Sequence, residues 1–189
     1  MNPNMRSILL LAVIAGSMVG QSAMAATQSR LIDQTGANMC QLSIPTTDTK
    51  VRPKATGFNN EGTTNAFVIC AFDAPPGSTT LAEGGLTGVV LYLKSLDGLS
   101  HTVTCTGVNS IADGADLGIP APTYVAKTLA VNDTGTYGVF GVGFQWTPAD
   151  FGGTTTIPFS AGAFSVTCLL PPQVSIKIGG GASDEDVGS

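Results

Sequence analysis

The chain contains one histidine, His101, and any serine, histidine and carboxylate chemistry would have to use it. His101 opens a Ser- and Thr-rich stretch, and strand alternation places it on the same face as Val103 and Cys105. The chain has no G-x-S-x-G sequence, which forms the turn that presents a nucleophilic serine in α/β-hydrolases. We therefore expect His101 to lie at the rim of a core and not to act as a catalytic base.

The four cysteines could bind a metal or form disulfides: they are Cys40, Cys70, Cys105 and Cys168. Zinc and iron–sulfur sites need close pairs such as C-x-x-C, and these cysteines lie far apart in the sequence. In an exported chain an even count predicts two disulfides, for which three connectivities are possible. We favour Cys40 with Cys70 and Cys105 with Cys168, because sequential pairing holds each half of the chain separately. Thiol catalysis is then disfavoured, and no metal or other cofactor is expected.

Carboxylates offer little chemistry in this sequence. Glu61 and Glu83 are the glutamates that precede the C-terminal residues, and both lie in Gly-flanked loops, whereas a two-carboxylate glycosidase needs its pair on adjacent strand ends. The segments Asp113–Asp116 and Asn132–Asp133 carry oxygen ligands of the kind that Ca²⁺ prefers. Because they lack the ligand density of an EF-hand, we expect ordinary Asp and Gly turns there.

A sugar-binding platform would need exposed aromatic side chains. The candidates are Tyr92, Tyr124, Tyr137 and Trp146. Trp146 shares an even spacing with Phe140 and Phe144, which predicts one strand face directed to the core. A glycan partner therefore remains an alternative to a protein partner.

The first 25 residues predict a secretory signal peptide. Arg6 is the one charge before the apolar run 8–20, which is shorter than the roughly 20 residues of a membrane-spanning helix. Ala23-Met24-Ala25 has the small-x-small form of a cleavage site, so the mature chain is expected to begin at Ala26. The predicted location is the periplasm or the exterior of a bacterial cell, with no stable membrane insertion after cleavage.

Residues 26–178 are expected to form one domain, followed by a disordered, Gly-rich, acidic tail at 179–189. The formal net charge is −5, and it becomes −6 when Arg6 is removed. Nucleic acid and anionic lipid are therefore not expected as partners. The charged fraction of 11% is low, which is typical of extracellular β-proteins.

Short apolar and β-branched runs between turn signals predict an all-β fold. The predicted strands cover 65–72, 86–93, 100–108, 123–131, 137–146, 154–159, 164–170 and 173–178, with weaker candidates at 39–44 and 54–58. About eight or nine strands indicate an antiparallel β-sandwich, Ig-like or jelly-roll-like, with a small β-barrel as the alternative.

Alternation assigns faces within two of these strands. Thr102, Thr104 and Thr106 lie opposite Val103 and Cys105. In the later strand, Ser165 and Thr167 similarly lie opposite an apolar set: Phe164, Val166, Cys168 and Leu170. Cys105 and Cys168 are therefore expected to point into the core.

Three classes of function are compatible with these features. The favoured hypothesis is a non-catalytic binding or interaction domain. The second is a structural subunit of a pilus- or coat-like surface assembly, and the third is a secreted hydrolase. Strand donation needs alternating large apolar residues near the N-terminus, and the adjacent Leu31 and Ile32 would point to opposite faces, which weakens that mechanism.

Overall fold

The computed structural model describes residues 27–45, 47–73, 85–110, 121–133, 141–158 and 164–186. The described strands form two antiparallel sheets packed against each other, which confirms the predicted β-sandwich. No ladder joins the two sheets among the described strands, so the small-barrel alternative is not the fold. The expected signal peptide lies outside the described residues. Within them, no helix is long and apolar enough to cross a membrane.

Six strands form the first sheet: β1 (Thr27–Thr35), β3 (Val51–Lys54), β4 (Gly57–Asn60), β6 (Gly88–Ser95), β9 (Val142–Trp146) and β11 (Val174–Asp186). The order is β3-β4-β11-β6-β9, and β1 also pairs with β11. Strands β4 and β1 share one edge of β11, at Val174–Ile176 and Ile178–Asp186 respectively.

Five strands form the second sheet: β2 (Cys40–Leu42), β5 (Ala66–Phe72), β7 (His101–Asn109), β8 (Thr123–Val131) and β10 (Phe164–Leu170). The order is β2-β5-β10-β7-β8. A four-residue helix, α1 (Gly36–Met39), leads from β1 into β2, and a 3₁₀ turn at Pro148–Phe151 follows β9. The short β2 and β3 lie at one side of the sandwich, and β8 and β9 lie at the other.

Trp146 closes the β8 and β9 side of the sandwich. Its indole is fully buried, and its Nε1 donates a hydrogen bond to the Val125 carbonyl across the two sheets at 3.0 Å. Gly107 on β7 makes room for the ring, because a Cβ there would lie 2.7 Å from the Trp146 Nε1. Lys127 adds a second link by donating to the Gln145 carbonyl at 2.7 Å.

Both disulfides lie within the five-stranded sheet. Cys40 is bonded to Cys70 and Cys105 to Cys168, the connectivity that sequential pairing favoured. Each bond joins residues directly opposite on neighbouring strands, with Cα atoms 4.0 and 4.1 Å apart. Cys105 and Cys168 are fully buried, as alternation predicted. Closing loops of this length stabilises a fold by roughly 3 to 4 kcal/mol per bond in the chain-entropy model.

The prediction of a disordered tail from residue 179 is wrong for the described part of that segment. β11 continues to Asp186, paired with β6 on one edge and β1 on the other. Its glycines serve close packing: a Cβ at Gly179 would meet Met39 and Leu91 at 2.9 Å, and one at Gly181 would meet Leu86 at 2.9 Å. Because glycine has no side chain, the neighbouring core residues pack directly on the strand backbone at these positions.

Two further strand predictions need correction. The segment 154–158 forms bends and not a strand, because the Thr147-capped 3₁₀ turn and the left-handed Gly152 redirect the chain before it. The weak candidates at 39–44 and 54–58 correspond to α1 with β2 and to the β3–β4 hairpin. Strand β1 was not predicted at all.

Replacing Gly107 with Ala should lower the free energy of unfolding by about 1 to 3 kcal/mol, because the new methyl group displaces the buried Trp146 indole. Equilibrium denaturation in urea measures this change. Gly88→Ala is the matched control, since its Cβ would lie 3.6 Å from the Trp146 carbonyl oxygen in ordinary contact. Equal losses in the two variants would show that the indole does not depend on Gly107.

Candidate interaction surface

Among the described strand residues, the outward side of the five-stranded sheet carries no Asp, Glu, Lys, Arg or His side chain. We call this surface the neutral face. It consists of Gln41, Phe67, Ile69, Ala71, Thr102, Thr104, Thr106, Val108, Tyr124, Ala126, Thr128, Ala130, Ser165, Thr167 and Leu169. The chain has 21 charged residues, so the absence of charge from this surface is a specific property of it.

Strict alternation in β7 and β10 creates the neutral face. The inward positions are apolar and buried, which leaves threonine and serine on the outward positions, as predicted. The ladders then align threonines across strands: Thr104 lies opposite Thr128, and Thr106 opposite Thr167. The Oγ1 atoms of Thr104 and Thr128 are hydrogen-bonded at 2.8 Å.

Apolar side chains interrupt the threonines and are unusually accessible. Tyr124 is 66% exposed, Phe67 47% and Leu169 37%. Phe67 and Leu169 are register partners on β5 and β10, so they form one continuous apolar area next to the threonines. Because contiguous exposed apolar areas are uncommon on protein surfaces, this area makes the neutral face the candidate interaction surface.

The disulfides hold the neutral face in one conformation. One bond joins β2 to β5 and the other joins β7 to β10, and seven ladder pairs connect β5 to β10. Four of the five strands are therefore fixed relative to one another by covalent bonds or an extended ladder. A surface that is rigid before binding loses little conformational entropy when a partner binds.

A cavity of about 230 Å³ lies beside this surface, between β2, β3 and β5. Phe67 belongs to the neutral face and also lines the cavity, and Leu42, Ile44 and Val51 add further apolar lining. None of the described lining residues is ionisable. The cavity can therefore accommodate an apolar group, but it offers no acid, base or metal ligand.

His101 is the first residue of β7 and is partly buried, as the alternation of the strand predicted. Its Nε2 is 2.9 Å from the Asp97 Oδ1 in the turn after β6. Ser95 donates to the same carboxylate oxygen at 2.8 Å and the Leu99 N–H at 2.9 Å. These groups do not form a catalytic triad, because the serine hydroxyl is bonded to the carboxylate and not to the imidazole.

The other predicted chemistry-bearing residues are dispersed. Trp146 and Phe144 are stacked in the core with ring centroids 5.8 Å apart, as their spacing predicted. Glu61 pairs with Lys54 on β3. Among the described residues, no group of three or more His, Cys, Asp and Glu side chains could bind a metal ion. Tyr92 is partly buried on β6, and Asn132 and Asp133 follow β8. Four candidates lie outside the described residues: Glu83, Asp113–Asp116, Tyr137 and Phe140.

The neutral face was partly accessible to sequence reasoning. Alternation assigned the outward threonines of β7 and β10 correctly, but only the register brings β5 and β8 beside them.

Comparison with known proteins adds no relative. The chain matches no protein-family model, and no curated protein is significantly similar to it.

The Asp97 turn should make stability depend on pH in acid. Hydrogen bonds from His101, the Leu99 amide and Ser95 lower the pKa of Asp97 from 3.8 to about 2. The ionised carboxylate therefore stabilises the folded state above pH 3.8, and this contribution is lost as the pH falls towards 2. Asp97→Asn should show a shallower decrease in unfolding free energy across that range, measured by denaturation at a series of pH values.

Asp184→Asn is the control for this experiment. Asp184 is an exposed aspartate on β11, and no hydrogen bond of the Asp97 turn involves it. Its variant should retain the wild-type slope. A wild-type slope in Asp97→Asn as well would contradict the assignment.

Proposed function

We propose that the protein is an exported, non-catalytic interaction domain that binds a protein partner through the neutral face. The observation that carries this proposal is the charge-free, partly apolar outer surface of the five-stranded sheet in a chain of net charge −5. Charged residues are depleted at the centres of protein interfaces, whereas apolar and aromatic residues are enriched there. Phe67, Leu169 and Tyr124 are the expected anchors.

Export is supported by the covalent structure. Two disulfides fit an oxidising compartment such as the periplasm or the extracellular space. The predicted signal peptide would deliver the chain to that compartment by general secretion, with Ala26 as the first residue of the mature protein.

A non-catalytic role is supported by the structural bonds that two of the described carboxylates make. Asp97 is bonded to His101, and Asp150 accepts hydrogen bonds from Lys127 at 2.8 Å and from the Thr147 amide at 2.7 Å. The last of these bonds closes the cap of the 3₁₀ turn, so the carboxylate has a structural role. Groups bonded in this way stabilise local structure.

A protein partner fits the neutral face better than a glycan does. Sugar platforms combine flat aromatic rings with carboxylate or amide groups that bond to hydroxyls. The neutral face has one strongly exposed aromatic ring with a hydroxyl, Tyr124, and its other exposed apolar side chains are Phe67 and Leu169. Apolar contact area is what a protein surface can complement.

Adding two positive charges to the neutral face should weaken partner binding strongly. The variant is Thr104→Lys with Thr167→Lys, because both side chains lie near the centre of the surface. Binding of labelled protein to envelopes of the producing cells should be saturable for the wild type and should fall at least about tenfold in the variant. Treating the envelopes with protease should remove the binding.

The matched control carries the same added charge elsewhere. Gln145→Lys lies on β9 of the other sheet and Thr155→Lys in an exposed bend, so this double variant should bind as the wild type does. Protein taken from the exported fraction should begin at Ala26 and have all four cysteines oxidised by intact mass. Binding that survives protease but not glycan removal would refute the protein partner, and equal binding by both double variants would refute the neutral face.

Strand β1 favours a second candidate function, that of a subunit in a surface assembly. All nine of its residues pair with β11, yet Leu31 is 58% exposed and only Ile32 and Gln34 are partly buried. The β6 ladder ends at Ala182, so the last residues of β11 pair with β1 alone among the described strands. β1 is thus held mainly by backbone bonds that a second copy of β11 would offer equally, and exchange of β1 would link copies.

A charge exchange tests this second candidate. Arg30 Nε lies 2.6 Å from Glu185 Oε2 between β1 and β11. Arg30→Glu alone and Glu185→Arg alone each place like charges at this contact, which costs up to about 1 kcal/mol for an exposed pair. When the two variants are mixed, exchange of β1 restores opposite charges in both copies. Native mass spectrometry should then detect a heterodimer that neither variant forms alone, whereas folded monomers in the mixture would exclude exchange.

A further inference from the structure

A row of polar and basic residues crosses the six-stranded sheet on its outer side. The register places Arg52 opposite Asn59, Asn59 opposite Ser175, and Ser175 opposite Lys94. Neighbouring strands are about 4.8 Å apart, so the row extends roughly 14 Å from β3 to β6. Lys177 lies in the β-bulge between Ile176 and Ile178. It is close enough to Lys94 for their charges to interact. We call Arg52, Lys94 and Lys177 the basic row.

Positive charge is concentrated at this place although the chain is acidic overall. Half of the eight Lys and Arg residues lie on three strands of this sheet: Arg52, Lys54, Lys94 and Lys177. Lys54 is neutralised by Glu61, with Nζ to carboxylate distances of 2.5 and 2.6 Å. Among the described residues, the three members of the basic row form no ion pair.

Two further cations outside the basic row also form ion pairs. Arg30 pairs with Glu185 at 2.6 Å and Lys127 with Asp150 at 2.8 Å. Thirteen Asp and Glu residues are available in the sequence, yet no described one neutralises Lys94 or Lys177. A solvated lysine needs no partner, but Lys177 is only partly exposed.

Partial burial makes the pair of lysines costly. Burial lowers the pKa of Lys177 below its usual 10.5, and the neighbouring charge of Lys94 lowers it further. Both effects disfavour the charged ammonium, and an anion bound at the same place would oppose both. Unpaired like charges on a partly buried surface are typical of ligand sites.

The groups between the cations are buried and bonded to one another. Ser175 is fully buried and donates its hydroxyl proton to Asn59 Oδ1 at 2.6 Å, and the Asn59 amide donates to Glu61 at 3.2 Å. Contact with a ligand is therefore left to the flanking cations. The Glu61 carboxylate is close enough to Arg52 for their charges to interact, so Lys94 and Lys177 are the principal cations of the row. Arg52 can bind a planar or tetrahedral anion through two N–H groups, whereas Lys94 and Lys177 supply point charges.

We infer that the basic row is a binding site for the repeated sulfate, carboxylate or phosphate groups of a soluble anionic polymer. The site lies on the sheet opposite to the neutral face and does not depend on the proposed protein partner. Because the three cations are spread over β3, β6 and β11, a repeating anion should bind more strongly than a single one.

Dextran sulfate is the probe for a soluble polyanion, and uncharged dextran is its control. Isothermal titration at low ionic strength should detect binding of dextran sulfate alone, and its affinity should fall steeply with added salt. Lys94→Gln with Lys177→Gln should weaken binding at least about tenfold. Arg30→Gln with Lys50→Gln removes the same charge outside the basic row and should change the affinity less than about threefold.

Two further arms complete the experiment. Vesicles of phosphatidylglycerol with phosphatidylcholine, compared with phosphatidylcholine alone, test a lipid surface, and binding there but not to dextran sulfate would overturn the assignment to a polymer. Lys94→Arg with Lys177→Arg retains both charges and should retain binding, which excludes an effect of misfolding in the Gln variant. Equal losses in the Gln variant and its charge-matched control, or no binding of either probe by the wild type, would overturn the inference.

Discussion

The pairing of β11 with three other strands is the interaction on which the six-stranded sheet depends. It joins β6 on one edge and both β4 and β1 on the other, and no other described strand connects the two halves of the sheet. Glycine in a strand costs about 0.5 to 1 kcal/mol relative to alanine. At Gly179 and Gly181 this cost is offset because Met39, Leu91 and Leu86 pack directly on the backbone. The same glycines that suggest a linker therefore allow the core to close.

The sequence pattern predicted correctly the strands that have one buried and one exposed face. In β5, β7 and β10 a core side chain alternates with an exposed one, so period-2 patterning identified both the strand and its faces. It failed for β1, which is exposed on nearly all positions, and for the end of β11, where glycines carry no hydrophobic signal. It also failed at 154–158, where three threonines resemble a strand but Gly152 and Pro158 bound a bend.

The candidate surfaces differ in how far the sequence could reveal them. The neutral face follows from alternation, because the inward cysteines of β7 and β10 fix the outward direction of the threonines beside them. The basic row could not be foreseen, since Arg52, Lys94 and Lys177 are far apart in the chain and only the ladders of β3, β4, β11 and β6 align them. Overall charge is a poor guide here, because an acidic chain can still concentrate its cations on one sheet.

Each surface belongs to a different sheet, and the core lies between them. Packed sheets are about 10 Å apart, and substitutions separated by more than about 7 to 10 Å usually act independently. Both disulfides lie in the sheet of the neutral face, so that surface is covalently fixed, whereas the basic row depends on hydrogen bonds and on β11 alone. Ligand binding at the basic row should thus leave the neutral face unchanged, so the proposed anionic polymer and the proposed protein partner would not compete for one surface.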